Sequence, residues 1–365
     1  MFPFSFVPKP KKPWFSLLNL LVVSIASAAL WSLSAQEAKA SVYEGFGATT
    51  PGGAQGAVVH VTNLNDSGPG SLREAVLQGN GTVVFDVGGT INVANQQVKV
   101  KGAFITIDGF SAPPPGITLV NGGIRLAGKD GAHDVIVQGL RIRDATVGGG
   151  DGITIRDAAY NIVIDHVSIQ GAYDGSIDIT RGASDVTVQW SILAENIPSH
   201  NLLSLVDFQA LRVTFHHNLF VRGQSRKPHS GWDPTLATTP PDIVTDIRNN
   251  LIWDFIDYGT VARNDTRSNV VRNFYYSSTQ PSADQALRVN NSGGQVYAQG
   301  NYSLNGADVD SQGNQTHPFL AVPVHTANAC TAAQRVVARA GARPLDAIDQ
   351  QYLSAITLPS SPCKG

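Results

Sequence analysis

VIVQGLRI (135–142), IVIDHVSI (162–169), VTVQWSIL (186–193) and VTFHHNLF (213–220) are four versions of one pattern. In each, apolar residues alternate with polar ones, and the phase then shifts through a small or polar residue. The matching positions are Leu140, Val167, Ser191 and Asn218, spaced 27, 24 and 27 residues apart. IRNNLIW (247–253), VVRNFYY (270–276) and YAQGNYS (297–303) continue the series, placing Asn250, Asn273 and Asn301 at the same point after steps of 32, 23 and 28. A strand-like repeat of about 25 residues with no helix between copies is too short for a strand–helix–strand unit, which needs about 30. It reads as a solenoid in which each repeat is one coil of a parallel β-helix and inward side chains stack coil on coil. The recurring Asn fits a bend where its amide bonds to stacked neighbours and its backbone tolerates the left-handed region.

The composition agrees. Charged residues make up 15% of the chain, with 36 glycines and a single Met, as in a turn-rich β protein. Solenoid ends expose core and need caps. Ser71-Leu72-Arg73-Glu74 has capping-box spacing and predicts a short helix through Val76 at the front. Residues 331–357 carry helical periodicity broken at Gly341 and Pro344, and predict a partly helical tail at the back. One domain is expected from residue 41 to the C-terminus, with the tail starting near residue 320.

Residues 1–40 read as a signal peptide. Lys9, Lys11 and Lys12 precede an apolar stretch from about Phe15 to Leu33, and Ala38-Lys39-Ala40 gives a small-x-small cleavage site. An uncleaved membrane anchor is the alternative. Either reading implies export, and with the signal removed no membrane association is expected. Removal of four lysines and one glutamate moves the formal net charge from −2 to −5. A mildly acidic protein does not grip a polyanion through bulk charge, so an anionic substrate would need a local cation or a few placed arginines. Basic patches suited to nucleic acid and glycine-rich nucleotide fingerprints are both missing from the sequence. Cys330 and Cys363 could pair in an oxidising compartment or stay free.

Three carboxylates stand out. Asp151 precedes a strand in GGGDGITI, and Asp174 and Asp178 flank a turn-to-strand step in YDGSIDI. The interval from Asp151 to Asp174 is 23 residues, close to one coil, and stacked coils lie about 4.8 Å apart. The even spacing of Asp174 and Asp178 keeps both on one face. Three acidic groups gathered this way repel one another unless a cation joins them, and a hard ion such as Ca²⁺ takes carboxylates plus water.

With these residues in view, the sequence resembles the pectate lyase family, secreted parallel β-helix enzymes that cleave polygalacturonate by β-elimination with Ca²⁺. The resemblance runs from GFGATTPGG (45–53) and NLNDSGPGSLREAV (63–76) to NNLIW (249–253). It is most telling in IDHVSI (164–169), DGSIDITRGASDVTVQW (174–190), and HHNLF followed by RKP (216–228). It implies an all-β fold, a right-handed parallel β-helix with a short N-terminal capping helix and a partly helical C-terminal tail. Carried over by position, Asp151, Asp174 and Asp178 match the Ca²⁺ ligands, and Arg226 matches the proton-abstracting arginine. A guanidinium is a poor base in water. Either Ca²⁺ on the substrate carboxylate acidifies the proton while cations and desolvation activate the arginine, or Arg226 stabilises the enolate-like charge while water takes the proton. The implied partner is an acidic plant-type polysaccharide such as polygalacturonate, met by a secreted monomer.

The chain departs from the family pattern in three places. The second arginine of the family's Arg-x-Pro-x-x-Arg element would fall on Gly231. The substrate-gripping lysine would fall near Pro198, with His200 or Lys227 as stand-ins. An acidic residue two positions before Asp151 is Gly149 instead. His217 and Trp232 are further candidate sugar contacts, whereas Asp165, His166 and Trp190 read as structural. Two other functions fit the same fold. One is a non-catalytic glycan-binding β-helix. The other is a polygalacturonase-type hydrolase, which needs a carboxylate acid–base pair and whose paired-Asp and Gly-His-Gly motifs are missing here.

Overall fold

The structure is a computed structural model that describes residue 1 and residues 43–93, 96–146, 150–232, 242–279, 281–290 and 293–359. The expectations for residues 1–40, Gly149 and Cys363 lie outside the described residues. From Tyr43 onward the chain forms one compact unit. Among the described residues no helix is long and apolar enough to cross a membrane.

Three parallel sheets of eight, ten and nine strands make up the unit, and the chain visits them in rotation. One coil runs through Ile153–Arg156 in the first sheet, Tyr160–Asp165 in the second and Ser168–Gln170 in the third. The next coil repeats it, pairing Ile153 with Ile177, Ile162 with Val186 and Ser168 with Ile192. The alternation seen in the sequence becomes an inside and an outside. Ile105, Val135, Ile162, Val186 and Val213 stack in register and are at most 1% exposed. Each such side chain contributes roughly 1.5–3 kcal/mol on burial, which makes these ladders the main stabilising element of the solenoid.

The Asn ladder is present. Nδ2 of Asn218 donates to Oδ1 of Asn250 at 3.0 Å, Asn250 to Asn273 at 3.0 Å, Asn273 to Asn301 at 3.1 Å, and Asn301 to Asp310 at 2.7 Å. The left-handed backbone, however, falls one residue earlier than expected: His217, Asn249 and Arg272 have φ of 56°, 52° and 54°. The kink before the ladder residue aims its amide along the stack.

The front cap keeps one arm of the expected capping box, because the Ser71 amide donates to the Gly68 carbonyl at 3.1 Å and not to the Glu74 side chain. Ser71 Oγ accepts from the Glu74 amide at 3.3 Å, and the helix Leu72–Ala75 buries Leu72. The C-terminal helices do not cap the back. Ala329–Arg339 and Ala347–Ser354 cover the outer face of the third sheet, where Ala333 and Val336 pack with Ile192, Leu219, Leu251 and Phe274. Those third-sheet strands are apolar on both faces, so the outer face needs a cover. A 3₁₀ turn at Val309–Gln312 packs against the last strand of the second sheet and buries Val309.

Candidate active site

The outward face of the first sheet gathers the candidate site residues. Ile153 and Ile155, like Ile177 and Ile179, point into the core, so Thr154 and Asp178 project outward. In register they form a row with Leu205 and His229 on the following coils. Asp178 accepts the Leu205 amide at 3.0 Å. Asp151, just before its strand, accepts the Gly175 amide at 3.0 Å and the Thr154 hydroxyl at 2.6 Å. The same hydroxyl accepts from Gln97 Nε2 at 2.9 Å. Neither Thr154 nor Gln97 was singled out in the sequence, because their part depends on cross-coil register.

Asp151, Asp174 and Asp178 each present a carboxylate oxygen within 4.8 Å of the others. Gly175 makes this convergence possible, since a Cβ there would lie 2.3 Å from Asp178 Oδ1. Asp151 and Asp178 are 8% and 7% exposed, while the Asp174 side chain is half exposed. Burial raises the Asp178 carboxyl well above the usual range, aided by the Asp151 charge and opposed by Arg226. Asp151 rises to about 6, again chiefly through burial, against the Thr154 and Gly175 hydrogen bonds. A cation between the three would relieve both the desolvation cost and the mutual repulsion. An all-oxygen donor set with one face open to solvent suits a hard ion such as Ca²⁺, so the residues fit the group the resemblance implies.

Arg226 sits half-buried two coils beyond Asp178, with a left-handed backbone (φ 65°) and its carbonyl accepting the Ser204 amide at 2.8 Å. Its charge reaches both Asp178 and His229. His200 joins the group, its Nε2 lying 2.8 Å from Asp174 Oδ1.

The other candidate contacts lie elsewhere. Lys227 is fully buried, its ammonium held by the carbonyls of Gly223 at 2.7 Å and Tyr258 at 3.4 Å. The left-handed turn at Arg226 sends neighbouring side chains opposite ways, leaving Lys227 no reach to a ligand. His217 belongs to the bend between the second and third sheets, stacked on Trp190 at 4.3 Å and 3% exposed. Trp232 is also 3% exposed, so its ring offers no sugar-stacking face. His166 bonds Asp165 at 2.7 Å, and Gln189 reaches the same carboxylate at 3.0 Å, inside the wall.

No family model matches the chain. Over 276 residues it is 33% identical to a probable pectate lyase C from Aspergillus terreus, an alignment covering 74% of this chain and 60% of that one. The chain thus spans about 60% of the length of that curated relative. Among solved structures, the major cedar-pollen allergen Jun a 1 superposes with a TM-score of 0.63 at 20% identity, covering 82% of this chain and 92% of the other. A pectate lyase from Bacillus sp. N165 in complex with trigalacturonate gives 0.62 at 21% identity, covering 82% and 98%. In its sequence and in its three-sheet solenoid, the chain resembles the pectate lyase family.

Proposed function

We propose that this chain is an exported, Ca²⁺-assisted polysaccharide lyase that cleaves a polygalacturonate-like chain by β-elimination. The observation that carries the reading is the convergence of Asp151, Asp174 and Asp178 within electrostatic reach of Arg226. The Lys-rich, then apolar, N-terminal sequence supports export. In the reaction, a water in the groove takes the proton next to a uronate carboxylate, a carbon–carbon double bond forms between that carbon and the β-carbon, and the glycosidic oxygen on the β-carbon leaves with the bonding electron pair and takes a proton from solvent. Asp151, Asp174 and Asp178 would hold the Ca²⁺. Bound there, the ion would grip the uronate carboxylate and acidify the neighbouring proton. Arg226 acts on that proton's side of the sugar, and its guanidinium balances the enolate-like charge as it develops. Gln97 and Thr154 keep the Asp151 carboxylate aimed. His200, half-exposed beside Asp174, would contact the sugar chain with the open part of its ring.

The test is unsaturated uronide formation from polygalacturonate, followed by ultraviolet absorbance with Ca²⁺ and with chelator. The reading expects product only with Ca²⁺, and its loss in Arg226→Lys with Ca²⁺ binding intact. Reducing ends without unsaturation would favour a hydrolase. Substrate binding without turnover would favour a glycan-binding protein.

A further inference from the structure

The bend that leads into the second sheet carries one left-handed residue on each of six successive coils. Strand register aligns Asn80, Phe104, Asp134, Asn161, Asp185 and Arg212, with φ of 43°, 57°, 53°, 54°, 55° and 50°. Asn and Asp visit this region readily, whereas a bulky aromatic residue is strained there. Side chains farther along the row also tie coils together. Asn161 Nδ2 donates to Asp134 Oδ1 at 3.1 Å, and Arg212 Nε to Asp185 Oδ1 at 2.6 Å. The Phe104 ring makes no such bond, and at 41% exposed it recovers little of the strain through burial. Packing within the fold does not account for an aromatic side chain at this point.

Phe104 forms one wall of a solvent-facing hollow of about 580 Å³, lined also by Pro51, Gln55, Gln78, Asn80 and Ala103. The Gln55, Gln78 and Asn80 side chains are exposed and hydrogen-bond to no other described residue. The lining holds no charged group. Beyond Phe104 the aromatic surface continues along the solenoid. The Phe104 ring meets His133 edge-on at 5.3 Å, and His133 stacks on Tyr160 at 4.8 Å with planes 3° apart. Tyr160 is as exposed as Phe104. Three rings and three amides therefore lie together at the surface, around the bend from the sheet face that carries the aspartates.

A pyranose ring presents a face of C–H groups and a rim of hydroxyls. An exposed aromatic ring takes the face, and amides, each both donor and acceptor, take the rim. A uronate would bring a carboxylate that meets no cation in this lining, so charge selects an uncharged sugar. We propose that the hollow beside Phe104 is a docking site for an uncharged β-glucan strand, separate from the aspartate site. The flat, extended strand lays a sugar face on Phe104 and its hydroxyls on Gln55, Gln78 and Asn80, and continues over His133 towards Tyr160. Binding here requires no chemistry at the aspartates.

The test is native gel electrophoresis through hydroxyethyl cellulose, and separately through polygalacturonate with chelator, for wild type, Phe104→Asn, Phe104→Tyr and Gln78→Ala. Wild type should be retarded by the glucan, with affinity about tenfold weaker in Phe104→Asn. Phe104→Tyr should bind like wild type, and the exposed Gln78→Ala should weaken binding severalfold without touching the bend. Phe104→Asn should melt no lower than wild type, because Asn suits the left-handed bend, whereas a structural role for the ring would lower the melting temperature. Product formation from polygalacturonate should be unchanged in Phe104→Asn. A wild type that hydroxyethyl cellulose does not retard overturns the proposal, as does equal retardation of wild type and Phe104→Asn. Retardation by polygalacturonate alone, lost in Phe104→Asn, also overturns it, since the site would then take a charged sugar. None of these readouts uses turnover, so failure of the lyase reading would show separately as missing unsaturated product.

Discussion

The amide of Gly175 donates to Oδ1 of Asp151 one coil back at 3.0 Å, and the space where its side chain would be belongs to Asp178. One residue thus orients the first carboxylate and admits the third. In Gly175→Ala the new methyl would lie 2.3 Å from Asp178 Oδ1, so the carboxylate must turn away. The expected result is Ca²⁺ affinity weaker by about tenfold or more, with a far-ultraviolet spectrum like wild type. Calorimetric Ca²⁺ titration checks it, and wild-type affinity would contradict it.

The Asn ladder makes a stability prediction. Asn250 is fully buried. It donates to the Phe215 carbonyl at 2.9 Å and to Asn273 Oδ1 at 3.0 Å, while accepting from the Asn218 amide at 3.0 Å. Asn250→Ala strands these groups, each at a cost of about 1–3 kcal/mol, so a loss of about 3 kcal/mol is expected. Urea unfolding measures it, and a change below about 0.5 kcal/mol would show the ladder to be dispensable.

Lys227 is expected to matter for stability and not for substrate. Lys227→Met keeps the stem's packing but leaves the Tyr258 carbonyl without its donor and the Gly223 carbonyl with the Ile256 amide alone. The expected cost is about 1–3 kcal/mol, with KM for polygalacturonate unchanged in the folded variant. A raised KM would return Lys227 to the substrate face.

The bend histidines set an acid limit. Burial, then the charges of Arg335 and Arg339, lower the His217 imidazole to about 4. The unfolded ring takes its proton near pH 6.5, so between there and about pH 4 the unfolded state binds more protons. Stability is therefore complete above about pH 6.5, falls as pH drops towards 4, and levels off below. One such group is worth about 1.4 kcal/mol per pH unit within that window. His217→Phe, which keeps the stack on Trp190, should flatten the fall in urea midpoint between pH 6.5 and 4.5. Parallel curves for the two proteins would show that His217 does not carry the dependence.

The coil period and the aspartate triad were legible because a solenoid turns sequence distance into height: Asp151 lies about one coil from Asp174, and the strands beyond them pair Ile153 with Ile177. Residues outside regular strands were not. The left-handed turn at Arg226 breaks alternation, so nothing in RKPHSG tells that Lys227 goes inward. The amphipathic tail helices announced a buried face without naming what they bury. The double-sided apolarity of SIL, NLF and NLIW was the missed signal.

A crystal of the protein soaked in Ca²⁺ is expected to hold one ion at about 2.3–2.6 Å from a carboxylate oxygen of each of Asp151, Asp174 and Asp178, on the outward face of the first sheet. Aspartates splayed apart around water under saturating Ca²⁺, or an ion bound at some other acidic group, would contradict it.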